Sequence, residues 1–573
     1  PVLSQRKDIV PNSFLSRPFI YISLSSFPPL IMTIKYQTVL SEKASPGEGG
    51  AGEQTQDEPV ITASAVNEEG FSAVKGEVQP PEFRDVPFAI LFFVHLLGIS
   101  GAAFMYGSAV FHPTDEDTSN NNYDGNNNNN ANGTADEDDL SSGQLVWVLT
   151  SMFMIAAVCT MASLRIMIKY PMRIIQIAFF AAPVLFGAVA LLMTAVAATS
   201  TADSGDVVYQ YFWIVAAVAA AISVCYYQCF RRYIPFATTT LKTALTALRG
   251  HLALYLLEFG LTLVLYAYTA LWLFAFGGVY AHDHLKGQAP CQQVHANDDA
   301  VDYNASDMCD TNPISMPVVF LFFVCLYWTQ QVVQNLMHTT TSGVVGSWWF
   351  APADAYDPSC CGRDVSDSFA RAATYSFGSI CFGSLLVSLL QALERLSRRR
   401  ERDIVTLVVT CLVACLRAWL EYFNSWAFCY VGLYGYDYLS AGRNVVQLFK
   451  TRGWTTFIAD RLVFRVLFLA NIGVAVLTGF VCLFATWIMG AGDSLTLHIV
   501  FWVSFVIGLL VSQTILFVVE SATRTTMVLF AESTTEFAEI HGELYEDLKG
   551  GWSATYPDAW SRAAPVVTAT PLV

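Results

Sequence analysis

The chain has 573 residues, of which 54% are hydrophobic and 14% charged, with a formal net charge of -16 and a mean hydropathy of +0.44. Soluble globular proteins carry about 25% charged residues. This composition excludes a soluble enzyme, a disordered protein and a nucleic-acid binder, and indicates an all-α polytopic membrane protein.

The chain opens on Pro1, and its first methionine is Met32. Translation is therefore expected to begin at Met32, with residues 1–31 an extension of the gene model. The stretch from Pro18 to Met32 is interrupted by Pro28 and Pro29 and is too short to span a bilayer. Residues 33–82 are rich in Gly, Glu, Ser and Gln, so 1–82 is expected to be a disordered cytosolic tail. Gly47, Gly49, Gly50 and Gly52 are not expected to bind phosphate, because no strand precedes them and no helix follows.

About 20 apolar residues, rising 1.5 Å each, cross the hydrocarbon layer as a helix. On that measure about ten transmembrane helices are expected, at 86–111, 145–164, 174–198, 208–229, 254–280, 317–338, 373–393, 404–430, 461–489 and 497–519. Ala216, Ala219, Ala220 and Ala221 in the fourth span suit close helix approach, as do Gly378 and Gly383 in the seventh. Residues 83–525 then form the transport domain, and 526–573 a short cytosolic tail. Glu532, Glu536, Glu539 and Glu543 fit a short amphipathic helix in that tail.

Charge sets the orientation. The loop 112–143 is acidic and has no Lys or Arg, whereas 165–173 holds Arg165, Lys169 and Arg173, and 231–250 holds Arg231, Arg232, Lys242 and Arg249. The positive-inside rule places the basic loops and both termini in the cytosol. The sequons at Asn132 and Asn304 fall in loops assigned outside, as do Cys291 and Cys309, which are expected to form a disulfide there. Palmitoylation at Cys360-Cys361 is a further option.

Simple alternation fails once. It puts Arg395, Arg398, Arg399, Arg400 and Arg402 outside, and span 404–430 contains Arg417 and Glu421, which are costly in lipid unless paired or wet. Two readings stay open: ten crossings, or eight plus a hairpin of 373–393 and 404–420 held from the cytosolic side.

Several blocks of sequence resemble one family. They are Phe83-Arg84-Asp85-Val86-Pro87-Phe88, Arg232-Tyr233-Ile234-Pro235-Phe236-Ala237, and Trp328-Thr329-Gln330-Gln331-Val332-Val333-Gln334-Asn335 continuing to His338. Tyr375-Ser376-Phe377-Gly378-Ser379 and Asn424-Ser425-Trp426-Ala427 with Tyr434-Gly435-Tyr436 follow in order. Together they resemble the choline transporter-like family, in its fungal and protist branch. The resemblance implies a ten-span carrier with cytosolic termini, associated with choline and in some members ethanolamine, in plasma and organelle membranes. The chain departs from the family near its last helix: Arg524 stands where an acidic residue is common, and an acidic pair is reduced to Glu532 with Ser533.

Choline's quaternary ammonium has no N–H and keeps its charge, so it is held by aromatic faces at roughly 0.5–2 kcal/mol each. Three or four faces plus one hydrogen bond reach about -8 kcal/mol, the micromolar range. Tyr327 and Trp328 are the first candidates, on a span that also carries Gln331 and Asn335; the competing reading of those polar groups is interhelical hydrogen bonding. Tyr430 and Tyr434 come next. Glu258 offers a counter-charge or proton relay, or pairs with Arg249 or His251. His95 is a possible titrating group or a packing residue. His282-Asp283-His284 lacks a fixed third ligand for a metal.

No nucleophile–base constellation, phosphate loop or metal triad is legible, so neither an enzyme nor a cofactor is expected. The partners expected are the bilayer and a small cation such as choline, at the plasma membrane. The competing reading is a non-transporting scaffold or stress-response protein of the same family.

Overall fold

The computed structural model describes residues 77–108, 142–178, 180, 184, 187, 206–287, 316–351, 362–397, 404–452, 455–488 and 494–556. Among them the only regular secondary structure is helical. In chain order the helices are α1 (Val86–Tyr106), α2 (Ser142–Lys169), α3 (Asp206–Phe230), α4 (Ile234–Ala247), α5 (Leu252–Gly287), α6 (Met316–Phe350) and α7 (Arg363–Ala373). They continue as α8 (Phe377–Ser397), α9 (Ile404–Tyr434), α10 (Tyr438–Arg452), α11 (Thr455–Ile488), α12 (Ser494–Glu532), α13 (Thr534–Ile540) and α14 (Gly542–Thr555).

Eight of these, α1, α2, α5, α6, α8, α9, α11 and α12, are long and apolar enough to cross a membrane. The chain is thus an all-α polytopic membrane protein. They match eight of the spans expected from sequence. Of the others, 208–229 coincides with α3, and 174–198 lies largely outside the described residues. Asn132, Asn304, Cys291, Cys309, Cys360, Cys361 and the side chains of His282, Asp283 and His284 also lie outside them.

The rim of the bundle is greasy, as lipid contact requires: Leu97 is 73% exposed and Phe104 89%. The interior is built around α6, which is buried along most of its length and packs against α8, α9, α7, α12 and α5. Glycines permit the closest approaches. A Cβ on Gly378 would collide with the Arg84 and Asp85 backbone, and one on Gly383 would come within 2.8 Å of the Phe428 ring. Both were expected at helix–helix contacts; Gly383 meets rings of α9 and α10, whereas Gly378 meets the backbone just before α1. Among the four alanines of the fourth span, Ala221 is exposed.

Both arms of the segment with two readings, α8 with 21 residues and α9 with 31, are long enough to cross. Arg417 and Glu421 are paired: Arg417 donates to Glu394 of α8 at 2.7 Å and to Glu421 at 2.8 Å.

The tail differs from its expected form. α12 runs to Glu532, past the span end at 519 and the boundary at 525, so Arg524 lies inside the helix. Two helices replace the single amphipathic one, with Glu536 and Glu539 on α13 and Glu543 on α14. α14 covers α4: Trp552 meets Phe236 edge-on at 5.1 Å, and Lys242 pairs with Asp547 at 2.6 Å. α13 docks on the end of α6, where Phe537 stacks on Trp349 at 3.7 Å. His541 stacks on Trp348, and burial holds its pKa below the ordinary histidine value.

Candidate aromatic and polar site

The polar stretch of α6 faces its neighbours. Trp328 is 3% exposed, and its indole N–H donates to the Cys381 carbonyl of α8 at 2.9 Å. His95 of α1 lies against the Trp328 ring, with centroids 4.8 Å apart and planes at 27°. Its Nε2 is 3.0 Å from the Thr329 hydroxyl. Phe92 meets Trp328 edge-on at 5.3 Å, and Tyr268 of α5 meets His95 at 6.4 Å. The Tyr268 hydroxyl donates to the Cys325 carbonyl at 3.1 Å. Two sequence candidates, Trp328 and His95, are therefore neighbours in one aromatic cluster drawn from α1, α5 and α6.

Tyr327 belongs to an adjoining patch, stacked on Phe323 at 6.0 Å. Further along α6, Gln331 is buried and Asn335 donates to Ser384 of α8 at 2.9 Å. Asn424 of α9 donates to the Gly383 carbonyl at 2.7 Å and accepts from the Tyr438 hydroxyl. The interhelical hydrogen bonding considered for Asn335 is thus present.

Tyr430 and Tyr434 are not in the aromatic cluster. Both are buried at the end of α9, and both hydroxyls donate to Glu532 at the end of α12, that of Tyr434 at 2.9 Å. The turn that follows is fastened to residues 77–85. The Gln79 amide donates to the Tyr434 carbonyl at 2.8 Å, and Asp85 accepts from the Tyr438 amide at 3.1 Å and from Ser379 at 2.6 Å. In the same turn, burial of Asp437 is outweighed by the Ser440 donors, which hold its carboxyl below the usual range.

Glu258 is 8% exposed on α5. Among the described residues it makes no hydrogen bond or ion pair, so pairing with Arg249 or His251 is not observed. It shares a face of α5 with Leu254, Tyr268 and Trp272, all buried at helical spacing. Among the described residues no cluster of His, Cys, Asp and Glu is arranged to hold a metal.

Sequence reasoning did not find Phe92 and Tyr268, because a ring in an apolar span has no distinguishing pattern. The spacing of Tyr268 from Glu258 along one face of α5 was the available signal.

A protein-family model described as plasma-membrane choline transporter matches residues 214–535. Protein PNS1 of Kluyveromyces lactis is 26% identical over 428 residues, covering 72% of this chain and 69% of that protein. Protein PNS1 of Eremothecium gossypii is 27% identical over 273 residues, but the match spans only 46% of its length. A CTL-like protein of Dictyostelium discoideum is 24% identical over 523 residues, covering 87% of this chain and 80% of the relative. With the family model matched over more than half of its length, the chain belongs to the choline transporter-like family, a family of membrane transporters.

Proposed function

We propose that the protein is a carrier for choline or a related amine such as ethanolamine, acting at the plasma membrane with both termini in the cytosol. The observation that carries this reading is the cluster of Trp328, Phe92, His95 and Tyr268 between three membrane-spanning helices. An interior site rich in rings and, among the described residues, without a fixed cation suits a quaternary ammonium, which cannot donate a hydrogen bond. Trp328 supplies the main face. His95 covers that face, so the ammonium reaches it when the imidazole turns aside, and the Thr329 hydroxyl that bonds His95 is then released toward the choline hydroxyl. Gln331 and Asn335 line the continuing path along α6, and Tyr327 flanks it. Glu258 supplies the counter-charge on α5.

Tyr430, Tyr434 and Glu532 act as the cytosolic closure and as a second contact for the leaving cation. A carboxylate already bound by two phenol groups competes for the ammonium without holding it tightly, which suits release.

The test is uptake of labelled choline in cells lacking their own choline carriers, with ethanolamine as competitor and Trp328→Ala compared at matched surface abundance. Saturable uptake lost in the variant supports the reading. No saturable uptake of labelled choline, or of labelled ethanolamine in a parallel assay, by surface-expressed wild type removes it and leaves the non-transporting scaffold.

A further inference from the structure

The membrane domain holds a second polar centre, between α8, α9, α11 and α12. Two ion-paired groups compose it. In one, Arg417 bridges Glu394 and Glu421. In the other, Arg524 bridges Asp460 at 3.2 Å and Glu520 at 2.6 Å. Arg461 joins them: its guanidinium lies 4.4 Å over the Tyr422 ring, and both it and Arg524 act electrostatically on Glu421.

This centre contains four carboxylates and three guanidinium groups. Among the described residues the neighbouring elements supply no fourth cation from within. His338 of α6 is buried and donates through Nε2 to the Ser425 carbonyl at 2.6 Å, and its Nδ1 is buried with no acceptor among the described residues for a second proton, so the ring is neutral there. Cys429 of α9 contacts Thr525. Arg165 and Lys169 of α2, Arg443 of α10 and Arg465 of α11 are exposed, and Lys242 of α4 pairs with Asp547. Glu258 of α5 is itself acidic. With these carboxylates ionised, the described groups of the centre carry one negative charge in excess, and a buried excess charge draws a counter-charge. Asp460 marks the position. It is 2% exposed; one oxygen accepts from Arg524, and Oδ2 is buried with no hydrogen-bond partner among the described residues.

We propose that this network is a site for one exchangeable monovalent cation at Asp460 Oδ2, either a proton or an alkali-metal ion. The proposal is independent of the amine reading, and its test is binding rather than uptake.

The full chain, purified into lipid nanodiscs, is melted in N-methylglucamine chloride at constant ionic strength. The probes are sodium from 1 to 100 mM, potassium over the same range, and pH from 8.5 to 5.5. One probe is expected to raise the melting temperature of the wild type by about 2 °C or more. Asp460→Asn keeps the acceptor for Arg524 and removes the excess charge, so its response to sodium and potassium is expected to be flat, and its pH response, read with wild type in a His541→Gln background, is expected to lose the stabilisation at low pH. Glu520→Gln also balances the charge while leaving Oδ2 in place, and is expected to weaken the response at least tenfold in ion concentration. Which probe acts identifies the cation. A wild type indifferent to all three overturns the proposal, as does an equal response in whichever of the two variants folds.

Discussion

His95 and Trp328 stack across the α1–α6 contact, with ring centroids 4.8 Å apart and planes at 27°. The same indole is tethered to α8 through its N–H. One side chain therefore joins three helices, and its face and its N–H have separable roles.

That separation gives the first prediction. Trp328→Phe keeps an aromatic face and loses the bond to Cys381. Trp328→Ala loses both, and removing so large a buried ring costs about 3–5 kcal/mol of stability. In amine uptake at matched surface abundance, the Phe variant is expected to retain measurable transport and the Ala variant none. Equal loss in both would assign Trp328 to packing alone.

The second prediction concerns the Glu532 closure. A hydrogen bond to a charged group contributes about 1.5–3 kcal/mol, against about 0.5–1.5 kcal/mol for a neutral pair. Glu532→Gln therefore weakens the hold on Tyr430 and Tyr434 without changing shape. The neighbouring Cys429 is fully buried in the wild type. Its modification by N-ethylmaleimide, read by peptide mass spectrometry, is expected to rise severalfold in Glu532→Gln and in a Tyr430→Phe, Tyr434→Phe double variant. Unchanged labelling in both would mean that these bonds do not keep the end of the bundle closed.

The sequence made the long apolar helices and the polar face of α6 legible, because both are matters of composition along one helix. What it hid was partnership between helices. Arg417 and Glu421 announced that they needed neutralisation, but Glu394 sits beside the basic run Arg395 to Arg402 and gave no sign of reaching across to α9. The expected last span stops at 519, just before Glu520 and Arg524, whose charges are costly in lipid unless paired. The helix continues because those two residues neutralise each other and Asp460 completes the pairing. Tyr430 and Tyr434 were recognised as aromatic candidates. Their bonding to Glu532, 98 residues from Tyr434 along the chain, has no local pattern.

The third prediction tests the close approach of α1 and α8. An added methyl at Gly378 would lie 2.6 Å from the Asp85 carbonyl carbon, and backbone cannot move aside as a flexible side chain can. Gly378→Ala is expected to destabilise the protein by about 1–3 kcal/mol. At Gly98 nothing lies within 4 Å of the added methyl, so Gly98→Ala is expected to change stability by less than about 0.5 kcal/mol. Melting of both variants in the same lipid nanodiscs checks the contrast; equal melting temperatures would refute it.

The fourth prediction is a pH dependence outside the membrane spans. His541 lies between α13 and α14, stacked on Trp348 at 4.4 Å, with its Nε2 donating to the Trp348 carbonyl at 3.2 Å. Burial lowers its pKa from 6.5, opposed in part by that hydrogen bond. The folded state therefore binds fewer protons than the unfolded state between the lowered value and 6.5. The stability that His541 contributes is full above 6.5 and is lost as pH falls through the lowered value. Hydrogen exchange of residues 534–555, corrected for the intrinsic rate, is expected to rise as pH drops from 7.5 to 5. His541→Gln keeps a donor for the Trp348 carbonyl and has no titrating ring, so its exchange is expected to stay nearly level. The same slope in both proteins would place the acid sensitivity of this docked segment on another group.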